Sequence, residues 1–255
     1  MDLTGATVAL TRSTDDNAAL RARLEALGAR VVELPTALLV DVAADADAVC
    51  AQVAESAAVA FTSRHGVAAF LRLLGTGPLV AAQARGGHVA AVGAATAQAL
   101  AEAGVAGAIA VGEPATGAHL AERLADALAE SEAHPKGSVL AVQARHARPE
   151  LAAGLRRRGV TVAVAVLYEN EAPPCPTAAA LAACRAADAV HFAAPSAAER
   201  LLAWAPDLCH GRLVAIGPTT AAALRNLGAE PAAVASSPTL DANVAAIAAA
   251  LGRAA

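Results

Sequence analysis

The sequence predicts an α/β protein of two similar domains, each a parallel sheet flanked by helices. Three observations carry this reading. Strand-like apolar runs alternate with helix-like segments along most of the 255 residues. The alternation is duplicated: Leu20, Leu24 and Gly28 recur as Leu151, Leu155 and Gly159, and Phe61-Thr62-Ser63 as Phe192-Ala193-Ala194, all at an offset of 131. A glycine-led turn recurs too, Val92-Gly93-Ala94-Ala95-Thr96-Ala97 against Ile216-Gly217-Pro218-Thr219-Thr220-Ala221, at an offset of 124, so the copies differ by seven residues in a loop. Strands separated by helices pair in parallel and bury both faces.

Taken in order, Thr7 to Thr11 reads as the first strand. Asp15, Asp16 and Asn17 then offer side-chain oxygens to the unpaired N–H groups of a helix start, and Leu20, Leu24 and Leu27 line one face of that helix. Gly28 stops it by taking the left-handed conformation of a helix end, and Arg30 to Leu34 is the next strand. Asp45 to Glu55 and Gly117 to Glu130 are helices, and Phe61 closes an apolar strand between them. Ser131 to Gly137, polar and containing Pro135, is the natural linker if the repeats are two consecutive domains. Val139 to Val142 is a strand, and Pro149 opens a helix whose last turn carries Arg156-Arg157-Arg158 as a solvated, dipole-complementing face. Val160 to Leu167, rich in β-branched residues, is a strand, and Glu171-Ala172-Pro173-Pro174 stops it. Thr177 to Cys184 and Leu240 to Leu251 are helices, and Ser196 with Glu199 has the spacing of a capping box.

Composition excludes several classes of function. A hydrophobic content of 56% leaves ample material for burial, while 2% aromatic content provides no platform on which bases could stack. The net charge of -4 also argues against a nucleic-acid partner. The basic residues are almost all arginine, Lys136 being the single lysine, and arginine matches carboxylates well in geometry, so a local anion site fits an acidic whole. No export signal is visible at Met1-Asp2-Leu3-Thr4-Gly5, and no apolar run approaches the roughly 20 residues of a membrane span, so a cytoplasmic protein without a membrane partner is expected. Cys50, Cys175, Cys184 and Cys209 show no Cys-x-x-Cys spacing, and no two of the seven histidines stand at i, i+4, so no metal is expected.

Ligands of parallel α/β sheets collect at the carboxyl ends of strands, where helices begin with unpaired N–H groups. Gly93-Ala94-Ala95-Thr96 and Gly217-Pro218-Thr219-Thr220 fall at such turns, and Thr62, Ser63 and Arg64 add two hydroxyls and a guanidinium. The bland reading is that these hydroxyls only cap helices. Neither glycine turn is a dinucleotide fingerprint or a P-loop, and no G-x-S-x-G elbow occurs. Tyr168, the only tyrosine, stands at the end of a strand. It is open to two readings, a phenol that does chemistry or a buried ring whose hydroxyl finds one partner. What these residues suit is a cleft that holds a polyanion while the ligand supplies its own reactivity.

Thr11-Arg12, Leu34-Pro35, Phe61-Thr62-Ser63, Val92-Gly93-x-x-Thr96, Leu167-Tyr168 and Ile216-Gly217-Pro218-Thr219-Thr220-Ala221-x-x-Leu224 resemble, in order and spacing, the uroporphyrinogen-III synthase family. The match covers nearly the whole chain, and Val139-Leu140-Ala141-Val142-Gln143 is similar to the variant found in actinobacterial members. The resemblance implies a cofactor-free reaction on a small polycarboxylate. Hydroxymethylbilane, a linear tetrapyrrole, loses water to give an azafulvene cation and closes through a spiro intermediate with inversion of ring D. Tyr168 is the residue carried over for assisting the departing hydroxyl. Thr11, Arg12, Thr62, Ser63, Arg64, Gly93, Thr96, Ser196, Gly217, Pro218, Thr219 and Thr220 are carried over for binding carboxylates.

The resemblance further implies two flavodoxin-like domains with a cleft between them, joined by two crossing strands at 36–40 and 165–171. One domain is then discontinuous, 1–36 plus 171–255, and the other is 40–165. A monomer is implied as well. Two departures stand out: Ala193-Ala194 where many members carry Thr-Ser, and Gln143-Ala144 where Arg-Gly is common. The first motivates a rival expectation, a non-catalytic module of the same fold that senses a tetrapyrrole or another small acid.

Overall fold

A computed structural model describes residues 1–112, 115–131 and 137–253. In chain order its elements are β1 (Thr7–Leu10), α1 (Thr14–Ala26), β2 (Arg30–Glu33), β3 (Leu38–Asp41), α2 (Ala46–Glu55), β4 (Ala58–Phe61), α3 (Arg64–Leu74), α4 (Gly77–Ala84), β5 (His88–Ala91), α5 (Ala94–Glu102) and β6 (Ile109–Ala110). There follow α6 (Gly117–Ala129), β7 (Ser138–Ala144), α7 (Glu150–Arg157), β8 (Thr161–Glu171), α8 (Ala178–Arg185), β9 (Ala189–Phe192), α9 (Pro195–Trp204), a 3-10 turn at Pro206–His210, β10 (Leu213–Ala215), α10 (Pro218–Asn226), β11 (Ala233–Val234) and α11 (Leu240–Ala250). Of the linker expected at 131–137, residues 132–136 lie outside the described residues.

The chain divides into two compact units, Met1–Leu38 with the segment from Glu171 onward, and Leu39–Asn170. The first unit holds a sheet of order β11-β10-β9-β1-β2, all pairs parallel. Strand alternation explains its two layers of helix. Val8, Leu10, Ala189 and Val214 point to one face and pack with Leu20 and Leu24 of α1 and Ile247 of α11. Ala9, Val190, Phe192 and Leu213 point to the other and meet Leu181, Leu201 and Leu224 of α8, α9 and α10. Both faces are dry, as the continuous apolar strands require.

The second unit repeats the plan with one strand more, in the order β3-β8-β7-β4-β5-β6. Val59, Phe61, Val89 and Leu140 face α2, α3, α4 and α5, with Phe61 and Phe70 in an edge-to-face pair at 5.4 Å. Ala58, Ala60, Val139 and Ala141 face Leu120 and Leu124 of α6 and Leu151 and Leu155 of α7.

Sequence repeat and structural unit do not coincide. The 131-residue offset maps β1-α1-β2 onto β7-α7-β8, and β4 onto β9. Yet β1 and β2 sit in the sheet with β9, and β7 and β8 in the sheet with β4. The two repeats have therefore exchanged their first strand-helix-strand segments, and each sheet is built half from one repeat and half from the other.

Local signals differ from expectation in three places. The cap of α1 is Ser13, whose Oγ accepts from the Asp16 N–H at 3.3 Å, while Asp15 and Asp16 stand in the first turn and Asn17 is buried with its Nδ2 donating to the Arg12 carbonyl. The capping box of Ser196 and Glu199 is not made. Pro195 takes the first helical position of α9, its preferred place, so Ala194 is the cap and no side chain bonds there. Finally, β8 runs to Glu171, so Tyr168 lies inside the strand and not at its end.

Candidate active site

In the second unit, the carboxyl ends of β4, β5 and β7 and the starts of α6 and α7 border a cavity of about 430 Å³. Thr62, Ser63, Thr116, His146, Arg148 and Tyr168 contribute its polar wall. This is where a parallel sheet exposes helix N-termini, so the position follows from topology.

Tyr168 reaches it because β8 is irregular. Gln143 pairs with Val166 but Ala144 pairs with Tyr168, so Leu167 is an extra residue opposite β7, a β-bulge. Strict alternation would send Leu167 and Tyr168 to opposite faces of the sheet. With the bulge both lie on the α3 side, in the cluster of Phe61, Val67 and Phe70. The backbone around the bulge is tied down: the Arg145 N–H donates to the Tyr168 carbonyl at 3.0 Å, and the Arg145 side chain pairs with Glu169 at 2.6 Å. Tyr168 is 7% exposed. Its ring belongs to the core and its hydroxyl finds a partner, as the buried-ring reading expects, and the residue also lines the cavity.

The hydroxyl of Tyr168 lies 2.5 Å from Ser63 Oγ, which also accepts the Gly66 N–H at 3.1 Å as the cap of α3. Gly66 is packed beside the ring, since a Cβ there would lie 3.5 Å from Tyr168 Cε1. The His65 ring centroid is 6.3 Å from that of Tyr168.

The opposite wall comes from a loop that replaces helix. Residues 14–18 belong to α1, whereas their counterparts at the 131 offset, 145–149, are non-helical and α7 starts only at Glu150. Pro149 disfavours the helical conformation for the residue before it, Arg148, and so delays the helix. The exposed His146 and Arg148 are left on the cavity wall, and Arg148 makes no ion pair with another described residue. Glu150 lines the same cavity from the first turn of α7, and Thr116 caps α6 by accepting the His119 N–H at 3.2 Å. Sequence reading passed over Thr116, His146 and Arg148. The available signal was a basic stretch, Arg145-His146-Ala147-Arg148, in a strand-to-helix loop of otherwise apolar sequence.

The other candidate residues are distributed as follows. Thr62 lines the cavity, its Oγ1 donating to the Val142 carbonyl at 3.4 Å, and Arg64 is exposed at the start of α3. Gly93 caps α5 with φ of 81°, and Thr96 is buried within that helix. Thr11, Arg12, Ser196, Gly217, Pro218, Thr219 and Thr220 all belong to the first unit. There Thr11 is buried, donating from Oγ1 to the His191 carbonyl at 3.0 Å, and Arg12 stands 3.9 Å from Asp16. Gly217 and Pro218 open α10 with no side-chain cap, Thr219 is exposed, Thr220 is buried and Ser196 is half-buried. Among the described residues no group of three or more His, Cys, Asp or Glu is placed to hold a metal ion.

The family described as uroporphyrinogen-III synthase HemD matches this chain over residues 18–245. The chain belongs to that family. It is a family of haem biosynthesis whose enzyme, uroporphyrinogen-III synthase, is classified EC 4.2.1.75 and acts on a small polypyrrole. Solved structures agree in fold. A mutant uroporphyrinogen III synthase from the extremely thermophilic bacterium Thermus thermophilus is 23% identical, with 98% of this chain and 100% of that one covered and a TM-score of 0.58. The uroporphyrinogen-III synthetase of Helicobacter pylori 26695 is 20% identical, with 94% and 96% covered and a TM-score of 0.66. No curated protein sequence matches significantly. The parallel two-sheet architecture expected from the uroporphyrinogen-III synthase resemblance is thus the one found.

Proposed function

We propose that this chain cyclises hydroxymethylbilane to uroporphyrinogen III with Tyr168 as the group that assists departure of the hydroxyl. The observation that carries this is the phenol itself: the chain's only tyrosine, turned by a bulge into a cavity at the helix-start end of a sheet, in a member of this enzyme family. The pyrrole nitrogen of the substrate expels the hydroxyl, so the protein must hydrogen-bond or protonate that oxygen and hold the chain folded. Tyr168 Oη supplies the proton. Arg148 and the amide groups at the start of α6 line the same cavity and suit substrate carboxylates. In the first unit Thr219 and the uncapped amides at the start of α10 are taken to serve other carboxylates. No cofactor enters this scheme, since the cation forms from the substrate's own pyrrole.

The chain is taken to act as a monomer in the cytoplasm, with neither nucleic acid nor membrane as partner. The net charge of -4 argues against nucleic acid, and no single described helix is long and apolar enough to cross a membrane. Fresh hydroxymethylbilane given to the purified protein should yield the III isomer by chromatography, against the I isomer that forms unaided. Replacing a positioned acid typically costs about 10²–10⁴ in rate, so Tyr168→Phe is expected to slow turnover by that order. An unchanged rate rejects Tyr168 as the acid. Tight binding without any III isomer supports the sensing module that Ala193-Ala194 suggests.

A further inference from the structure

We infer that Ser63 is a positioning residue for Tyr168, orienting the phenol and stabilising its conjugate base, and that it does not bind a substrate carboxylate. This deepens the role of Tyr168 proposed above and rests on it. Three observations carry the inference. The first is proton accounting. A hydroxyl has one proton to donate and two lone pairs, and Ser63 Oγ commits one lone pair to the Gly66 N–H at 3.1 Å. The remaining contact, 2.5 Å to Tyr168 Oη, has two arrangements. If Ser63 donates, the phenolic proton is left free for the cavity. If Tyr168 donates, the serine proton is.

The second observation is the direction of polarisation. Gly66 N–H is one of the unpaired donors at the start of α3, where the helix carries partial positive charge. In transfer, the phenolic proton goes to the leaving oxygen, the carbon–oxygen bond breaks with its electron pair going to that oxygen, and water departs. The phenolate left behind accepts from Ser63, whose oxygen is held by Gly66. The proton lost when ring D, after its attack on the cation, regains its pyrrole aromaticity then restores the phenol, so the cycle closes with one water released. Donors fixed before charge develops stabilise it without reorganisation.

The third observation is an internal control supplied by the duplication. At the 131 offset Ser63 corresponds to Ala194, and Ala194 caps α9 with no side-chain bond. Its backbone angles, φ -162° and ψ 156°, are nearly those of Ser63, φ -160° and ψ 159°. The strand-to-helix turn therefore forms without a hydroxyl. What Ser63 adds is the amide bond and the link to the phenol, and in the arrangement where Ser63 donates to Tyr168 it keeps no proton for a substrate carboxylate.

The test is a double-mutant cycle on the full chain, using kcat and KM for the III isomer after subtraction of spontaneous I isomer. Ser63→Ala is expected to lower kcat about 10²-fold, the usual effect of removing one such donor, with KM changed less than about twofold. Ser63→Thr, which keeps the hydroxyl, should recover most of that loss. Adding Ser63→Ala to Tyr168→Phe should cost nothing further, because the serine acts through the phenol. A raised KM at unchanged kcat, or losses that multiply in the double variant, would show Ser63 holding substrate and overturn the inference. Full activity of Ser63→Ala beside a slow Tyr168→Phe defeats this inference alone, whereas full activity of Tyr168→Phe defeats the proposed acid and this inference with it. Circular dichroism of each variant separates lost chemistry from lost fold, and Ala194 gives the reason to expect folding.

Discussion

Acid should weaken the first unit in a window set by His191. This residue is 1% exposed in β9, on the face covered by α11. Its Nε2 lies 2.7 Å from Asn243 Oδ1, and the amide orientation is fixed because Asn243 Nδ2 donates to the Thr239 carbonyl at 2.7 Å. Nε2 therefore carries the hydrogen and Nδ1 is bare, buried and without a partner among the described residues. A second proton would have to sit on Nδ1 in a dry site. Burial accordingly pushes the pKa from 6.5 down to about 4, with the Asn243 bond opposing and the charge of Arg12 assisting. The unfolded chain takes up this proton below about 6.5 and the folded one does not until about 4. Stability is thus intact above 6.5 and falls as pH drops between those values, because the unfolded state binds more protons there. At pH 5 the difference amounts to about 2 kcal/mol, and about 3 kcal/mol is the ceiling at still lower pH. Urea unfolding at pH 7, 6 and 5 measures it. His191→Gln, which retains a donor for Asn243 Oδ1 and never charges, should flatten the profile over that range. Amide exchange in β9 and α11 should follow the wild-type curve. A wild-type stability that does not change between pH 7 and 5, or an identical fall in His191→Gln, refutes the buried neutral imidazole.

The two glycine turns should respond differently to alanine. Gly93 has φ of 81° and a Cβ there would lie 3.2 Å from that of Ala115, so Gly93→Ala is expected to cost about 1–2 kcal/mol in a melting experiment. Gly217 is extended at φ 177° with nothing within 4 Å of an added Cβ, so Gly217→Ala should hold or raise stability by up to about 1 kcal/mol while lowering formation of the III isomer, and full activity would show that substrate does not approach this turn. Cys184 is buried and its thiol is pushed up to about 11 by burial, partly offset by Arg185, whereas Cys50 and Cys175 are exposed. A thiol-titrating reagent should label those two fast and reach Cys184 only after denaturation; rapid labelling of Cys184 in the folded protein contradicts its place in the core.

What the sequence showed was set by local chemistry and period, and what it hid depended on pairing. Gly28 and Gly159, both at positive φ, end their helices as read, and the leucines at 20, 24, 151 and 155 face their sheets. Shorter elements escaped a reading of the residues: β6 has two residues, α4 begins at Gly77-Pro78, which reads as a turn, and β3 was expected only through the family resemblance, as a strand at 36–40. The face presented by Tyr168 was not readable at all. It depends on the extra residue Leu167, and a bulge exists only relative to the partner strand. The start of α7 at Pro149 was legible, but Arg148 was passed over because its place on the cavity wall depends on the β4, β5 and α6 ends that the fold brings beside it.

Duplication accounts for why the Tyr168–Ser63 pair has no counterpart in the first unit. Apart from the extra edge strand β3, the corresponding strands of both sheets stand in the same order, and both sheets offer helix starts at the carboxyl ends of their strands. A scaffold made twice leaves each copy free to lose what the other keeps. β8 carries Tyr168 while β2, its counterpart, runs Arg30–Glu33 without a phenol, and Ser63 faces that phenol where Ala194 caps without any side-chain bond. The long loop at 145–149, whose counterpart is helix in α1, brings His146 and Arg148 to the same cavity. All of these features lie in the second unit, Tyr168 and the 145–149 loop through the exchange of first segments and Ser63 without it. Bulge, delayed helix and serine cap thus converge on the environment of one hydroxyl, which is the arrangement a reaction needs when the substrate brings its own leaving group and its own electrons.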